Sequence, residues 1–83
     1  MHQLTLRGAD IYNLDEEAVK GLGGSQGGVK DRTGTDYSTI FRNIISHEHA
    51  MDLMQQINTM LIEAGKEPLH SYTYDHVIYS LSV

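Results

Sequence analysis

Ser46-His47-Glu48-His49-Ala50-Met51-Asp52-Leu53-Met54-Gln55-Gln56-Ile57-Asn58-Thr59-Met60-Leu61-Ile62-Glu63-Ala64-Gly65 is the stretch whose reading decides the fold. Ala50, Leu53, Met54, Ile57, Met60, Leu61 and Ala64 recur at three- and four-residue steps, which lines them along one side of an α-helix. Ser46 can cap the free N–H groups of the first turn, and Glu48 sits favourably there beside the helix dipole. Gly65 supplies a left-handed residue just past the end, and Pro68 prevents the helix from resuming. The spacing predicts one long helix from Ser46 or His47 to Ala64, with Met54 and Met60 in its core stripe.

The segments on either side read as strands. Residues 37–45 match helical spacing at Tyr37, Ile40, Phe41 and Ile44, but their Thr, Ile, Phe and Tyr content and the helix that follows favour a strand. Residues 71–83 are rich in tyrosine and β-branched side chains and read as one terminal strand, with Tyr72, Tyr74, His76 and Ile78 on one face. At the other end of the chain, Leu4 and Leu6 alternate with Gln3, Thr5 and Arg7, the period-two pattern of a half-buried strand, and Gly8 ends it. Acids at Asp15, Glu16 and Glu17, Lys20 in the last turn and Gly21 beyond predict a short helix with Asn13 as a possible cap.

The resulting expectation is a single α+β domain over residues 1–83: a small three-stranded sheet with one long amphipathic helix packed on one face, a short N-terminal helix and a Gly-rich loop. One sheet face would stay open. At 83 residues, and with no cysteine for a disulfide, self-association is the expected way to make up for a thin core, so a homo-oligomer is predicted.

Between residues 21 and 35 the apolar pattern disappears, and six of the eight glycines lie there. Gly24, Ser25, Gly27, Gly28, Lys30, Arg32, Thr33 and Thr35 combine unshielded backbone N–H groups, hydroxyl donors and two cations, which is what an anion cradle requires. Val29 stands where a Walker lysine belongs, and Gln26 occupies the third glycine position of a dinucleotide fingerprint, so neither motif is present. The segment reads as a long loop that is mobile or is ordered by what it binds.

Other chemistry is less well supported. His47, Glu48, His49 and Asp52 are metal-ligand types, but histidines two apart on a helix point in different directions, whereas chelating pairs stand four apart. No serine lies in a nucleophile elbow, and no spacing assembles a base, nucleophile and orienting group. No catalytic residue, metal or cofactor is assigned. A small hydrolase or isomerase using a histidine and a carboxylate ranks below the binding readings, because so short a chain can barely enclose a pocket.

The formal net charge of −5, with only six Lys and Arg residues, opposes nucleic-acid binding, which depends on cations displacing counterions from phosphates. No apolar run approaches a membrane span, and the first residues lack an export pattern, so a cytoplasmic chain is expected. Two functions follow. The first is a non-enzymatic module, of the kind found among phage accessory proteins, that binds or sequesters a phosphate-bearing small molecule such as a nucleotide, with the Gly-rich segment on phosphate and Tyr72 or Tyr74 of the same or a neighbouring subunit stacking on the base. The alternative is an acidic inhibitor or adaptor that uses its charge and an exposed strand edge to block a basic, nucleic-acid-binding protein partner.

Overall fold

The computed structural model describes residues 2–22, 28–34 and 36–81, without the side chains of residues 16, 20, 28–31, 33 and 36. The chain runs β1 (His2–Arg7), α1 (Ala9–Tyr12), α2 (Glu16–Leu22), β2 (Gly28–Thr33), β3 (Asp36–Ile44), α3 (His47–Glu63), β4 (Ser71–Tyr74) and β5 (Val77–Ser80). It is α+β, but the sheet has five strands in the order β2-β3-β1-β4-β5, not three. Every adjacent pair is antiparallel.

The two extra strands come from two hairpins that the sequence conceals. In the first, β2 occupies much of the segment expected to be an unstructured loop and pairs with β3 from Gly28 opposite Phe41 to Thr33 opposite Asp36. In the second, the expected terminal strand folds back on itself, pairing Tyr74 with Val77 and Ser71 with Ser80. Its turn residues, Asp75 and His76, have φ of 48° and 69°. Two positive φ values in a two-residue loop fit the twist of the flanking strands, a geometry usually supplied by Asn-Gly or Asp-Gly. His76 has no such signature, and the hairpin is invisible for that reason.

Strand β1 is central. Leu4 and Leu6 are completely buried, and even Thr5 on the opposite face is covered by its neighbours. Both β3 and β4 run antiparallel to β1, so they are parallel to each other, and α3 is the crossover that carries the chain over β1.

The helix-like spacing within β3 has a physical origin. His2 pairs with Ile44 and Leu4 with Phe41, so two steps along β1 face three along β3. The extra residue is accommodated around Asn43, whose φ is 64°, and this bulge turns both Phe41 and Ile44 into the core.

Helix α3 runs as expected, except that Ala64, placed in its core stripe, is the exposed residue just past its end. The Ser46 hydroxyl accepts from His49 N–H at 3.1 Å, and His49 Nδ1 in turn accepts from Ile45 N–H at 3.2 Å, a reciprocal cap. At the other end, Lys66 N–H reaches Leu61 O and Gly65 N–H reaches Ile62 O, the paired bonds of a Schellman ending, with Gly65 at φ 76°. Leu53, Met54, Ile57 and Leu61 are buried, and Met60 lies half-buried at the edge of the stripe.

Asp15, not Asn13, caps α2: its carboxylate accepts from Glu17 N–H at 2.8 Å, and the helix continues through Gly21 to Leu22. Ile11 of α1, Val19 of α2 and Leu53 of α3 join Leu4, Leu6, Phe41 and Tyr74 in one core, which places all three helices on the same face of the sheet. The opposite face carries the row Ile40, Thr5, Thr73 and Ile78, with no covering layer among the described residues. No helix among the described residues is long and apolar enough to cross a membrane.

Candidate functional site

Of the residues expected to form one ligand site, those that the structure describes stand on separate strands. Gly24, Ser25, Gly27 and Thr35 lie outside the described residues, and Gly28, Lys30 and Thr33 are described only as backbone of β2. Arg32 is exposed on the same strand, its guanidinium 4.9 Å from the Tyr37 ring centre. Tyr72 and Tyr74 stand on β4, three strand spacings from β2, or about 14 Å. Nor are the tyrosines open for stacking: their exposures are 6% and 8%.

What the tyrosines do instead is close a ring cluster around His47. In the first turn of α3, His47 stacks on Tyr74 at 4.4 Å between ring centres and 11° between planes, and its Nε2 lies 2.7 Å from the Tyr72 hydroxyl. Tyr79, from β5, tilts against His47 at 4.8 Å and stacks on Tyr72 at 5.4 Å. Tyr72 and Tyr79 share this face because they are directly opposed across the hairpin. Burial, and then the neighbouring Tyr79, raise the Tyr72 hydroxyl above its ordinary value, and burial, Asp75 and Tyr79 do the same for Tyr74.

The hairpin turn is tied to β1. Asp75 accepts from Gln3 N–H at 2.9 Å and also meets His2 Nδ1, while His2 lies against Tyr74. The Gln3 N–H, and then the His2 side chain, hold the Asp75 carboxyl below its ordinary value. His47, His49 and His2 are thus occupied in an aromatic cluster, a helix cap and a turn anchor. Among the described residues no group of three histidines or acids is placed to hold a metal ion. His76 is in the turn, not on the tyrosine face.

The surface has a different organisation. The exposed large apolar side chains among the described residues are Ile45, Met51, Ile62, Val77, Ile78 and Tyr79. They fall into two sets.

No family model, curated protein or solved structure matches this chain.

Ile45, Met51 and Ile62 line one groove of about 870 Å³ along the outer side of α3, closed on its far side by Pro68, Leu69 and Leu81. Ile45 is 69% exposed and Ile62 60%, so the groove has an apolar floor in contact with water. Among the described residues its polar lining comprises Glu48, Asp52, Ser46, His49, Gln55, Asn58 and Thr59, with two acids and no Lys or Arg. Val77, Ile78 and Tyr79 form the second set and are consecutive on β5, an edge of the sheet.

A smaller hollow of about 450 Å³ brings Arg7, Asp10, Glu67 and His70 to its rim. All four are exposed, and acid–base chemistry gains little from groups that solvent neither leaves nor orients. An exposed strand edge is among the expectations, but the groove was missed from sequence because Met51 and Ile62 look like ordinary helix residues. Their one signal is that they fall outside the stripe of Leu53, Met54, Ile57 and Leu61.

Proposed function

We propose that this chain is a non-enzymatic protein-interaction module, an adaptor or inhibitor, that receives a segment of a partner in the groove along α3. The observation that carries the reading is the gathering of Ile45, Met51 and Ile62 into one concave surface with Glu48 and Asp52 on its rim. Exposed apolar surface rimmed by polar groups is the usual mark of a recognition site. An apolar segment flanked by Lys or Arg fits it, since the apolar side chains would fill the floor and the cations would meet the two carboxylates. The formal net charge of −5 extends that attraction beyond contact distance and favours basic partners, nucleic-acid-binding proteins among them.

A phosphate-bearing small ligand held by residues 21–35 is the second reading. It rests on Arg32, exposed on edge strand β2 close to the glycine run. Tyr72 and Tyr74 no longer support it, because their rings are taken up by His47 and Tyr79.

Amide-resolved NMR titration separates the two. A cationic amphipathic peptide is expected to shift Ile45, Met51, Asp52 and Ile62, with an affinity that falls as salt rises and is lost in Met51→Lys/Asp52→Lys. Mononucleotides or inorganic phosphate shifting Lys30 and Arg32 instead would move the assignment to the phosphate reading, and a peptide that shifts no groove residue overturns the proposal.

A further inference from the structure

The two edges of the sheet are built differently. Strand β2 carries Lys30, Asp31 and Arg32 in succession, and charged residues on an edge discourage pairing with another chain. From Val77 to Leu81 the other edge reads Val-Ile-Tyr-Ser-Leu, with no charge, no proline and no glycine.

The direction of its free backbone groups follows from the hairpin. Leu81 N–H donates to His70 O at 2.8 Å, so positions 70 and 81 form a hydrogen-bonded pair. Such pairs alternate along an antiparallel ladder, which makes Tyr72 with Tyr79 and Tyr74 with Val77 the next ones. Ile78 and Ser80 therefore turn their N–H and C=O groups outward, away from β4. Ile78 is 75% exposed, and every residue of β5 is exposed to some degree.

We infer that β5 is the site of self-association, pairing antiparallel with β5 of a second copy about a two-fold axis through Tyr79. In that register Ile78 of each copy faces Ser80 of the other, and the outward groups of both residues form four hydrogen bonds. Val77 faces Leu81 of the second copy, and the two Tyr79 side chains lie side by side, extending the cluster of His47, Tyr72 and Tyr74 across the axis. A register centred on Ile78 would set Ser80 against His76 of the second copy, a turn residue at φ 69° and not extended backbone, so that only the outward groups of Ile78 would pair. The centre at Tyr79 therefore pairs both outward-facing residues of β5 within Val77–Leu81, and the edge's lack of charge lets two acidic chains approach along it. The joined sheets would be continuous through both copies. The inference does not rest on the proposed role of the groove along α3, although Leu81 borders both surfaces.

Sedimentation equilibrium over a range of concentrations tests it. The full chain is expected to show a monomer–dimer equilibrium. Ile78→Pro, which removes an N–H that the hairpin itself does not use, should weaken dimerisation at least tenfold, as should Ile78→Lys; circular dichroism checks that both variants keep the fold. A second measurement fixes the register. The chain has no cysteine, so Tyr79→Cys introduces a single thiol at the axis, where opposed Cα atoms of a non-hydrogen-bonded pair stand about 4.5 Å apart, within disulfide reach. Mild oxidation with copper–phenanthroline should convert Tyr79→Cys to a covalent dimer much faster than Met51→Cys in the groove. A chain that stays monomeric at every concentration, or a dimer that survives Ile78→Pro and cross-links through Met51→Cys, overturns the inference.

Discussion

His47 and Tyr72, 25 residues apart in the chain, meet through Nε2 and the phenolic oxygen at 2.7 Å, and this contact fastens the start of α3 to the C-terminal hairpin. The His47 ring also covers Tyr74. Removing it would break an aromatic stack and strand a buried hydroxyl. His47→Ala should therefore lower unfolding free energy by about 2–3 kcal/mol. Tyr72→Phe keeps the ring and should cost about 1 kcal/mol. Urea unfolding of both variants and of the double variant checks this, and additive effects would mean that the two residues are not coupled.

Thr39 is fully buried, and its hydroxyl has no hydrogen-bond partner among the described residues. Valine has nearly the same shape without the polar atom. Thr39→Val is expected to raise stability by about 1 kcal/mol, read as a higher urea midpoint at unchanged slope. A loss of stability would show that the hydroxyl is satisfied in solution.

The turn at Asp75 and His76 offers another gain. His76 holds φ at 69° and is exposed. A side chain in the left-handed region costs about 1 kcal/mol, which glycine avoids. His76→Gly should stabilise the hairpin by roughly 0.5–1 kcal/mol, whereas Asp75→Gly should not, since it would also remove the contacts to Gln3 and His2. Thermal melts of the two variants give the comparison.

Stability should fall at both extremes of pH for identifiable reasons. Asp75 is held below its ordinary value chiefly by the Gln3 N–H, so the unfolded chain takes up the proton first, and this contribution disappears as pH drops below about 4. Tyr72 and Tyr74 are raised chiefly by burial, so the unfolded chain loses those protons first, and stability declines as pH climbs above about 10. Urea midpoints measured across pH should lose part of the acid limb in Asp75→Asn and part of the alkaline limb in Tyr72→Phe.

Much of the architecture was legible from local pattern. The Leu4 and Leu6 alternation, the short helix near Glu16, the strand before Ser46 and the capped helix up to Gly65 all depend on period and end signals that a chain carries within itself. The errors fell where the decisive interaction is distant. The Gly28–Thr33 strand exists because β3 supplies its ladder, and the 71–80 segment folds back because Asp75 is anchored by Gln3 and His2 from the opposite end of the chain.

The site follows the same division. Residue types alone made Tyr72 and Tyr74 plausible stacking partners and His47 a conceivable metal ligand. The tertiary structure spends all three on one another, because the crossover through α3 lays its first turn over β4. Composition by itself determined an acidic, cysteine-free chain, and local periodicity an α+β one with a dominant amphipathic helix. Which apolar side chains remain outside, at Met51, Ile62 and Ile78, was decided only by tertiary packing, since burial is a property of neighbours brought together in space and not of the residue.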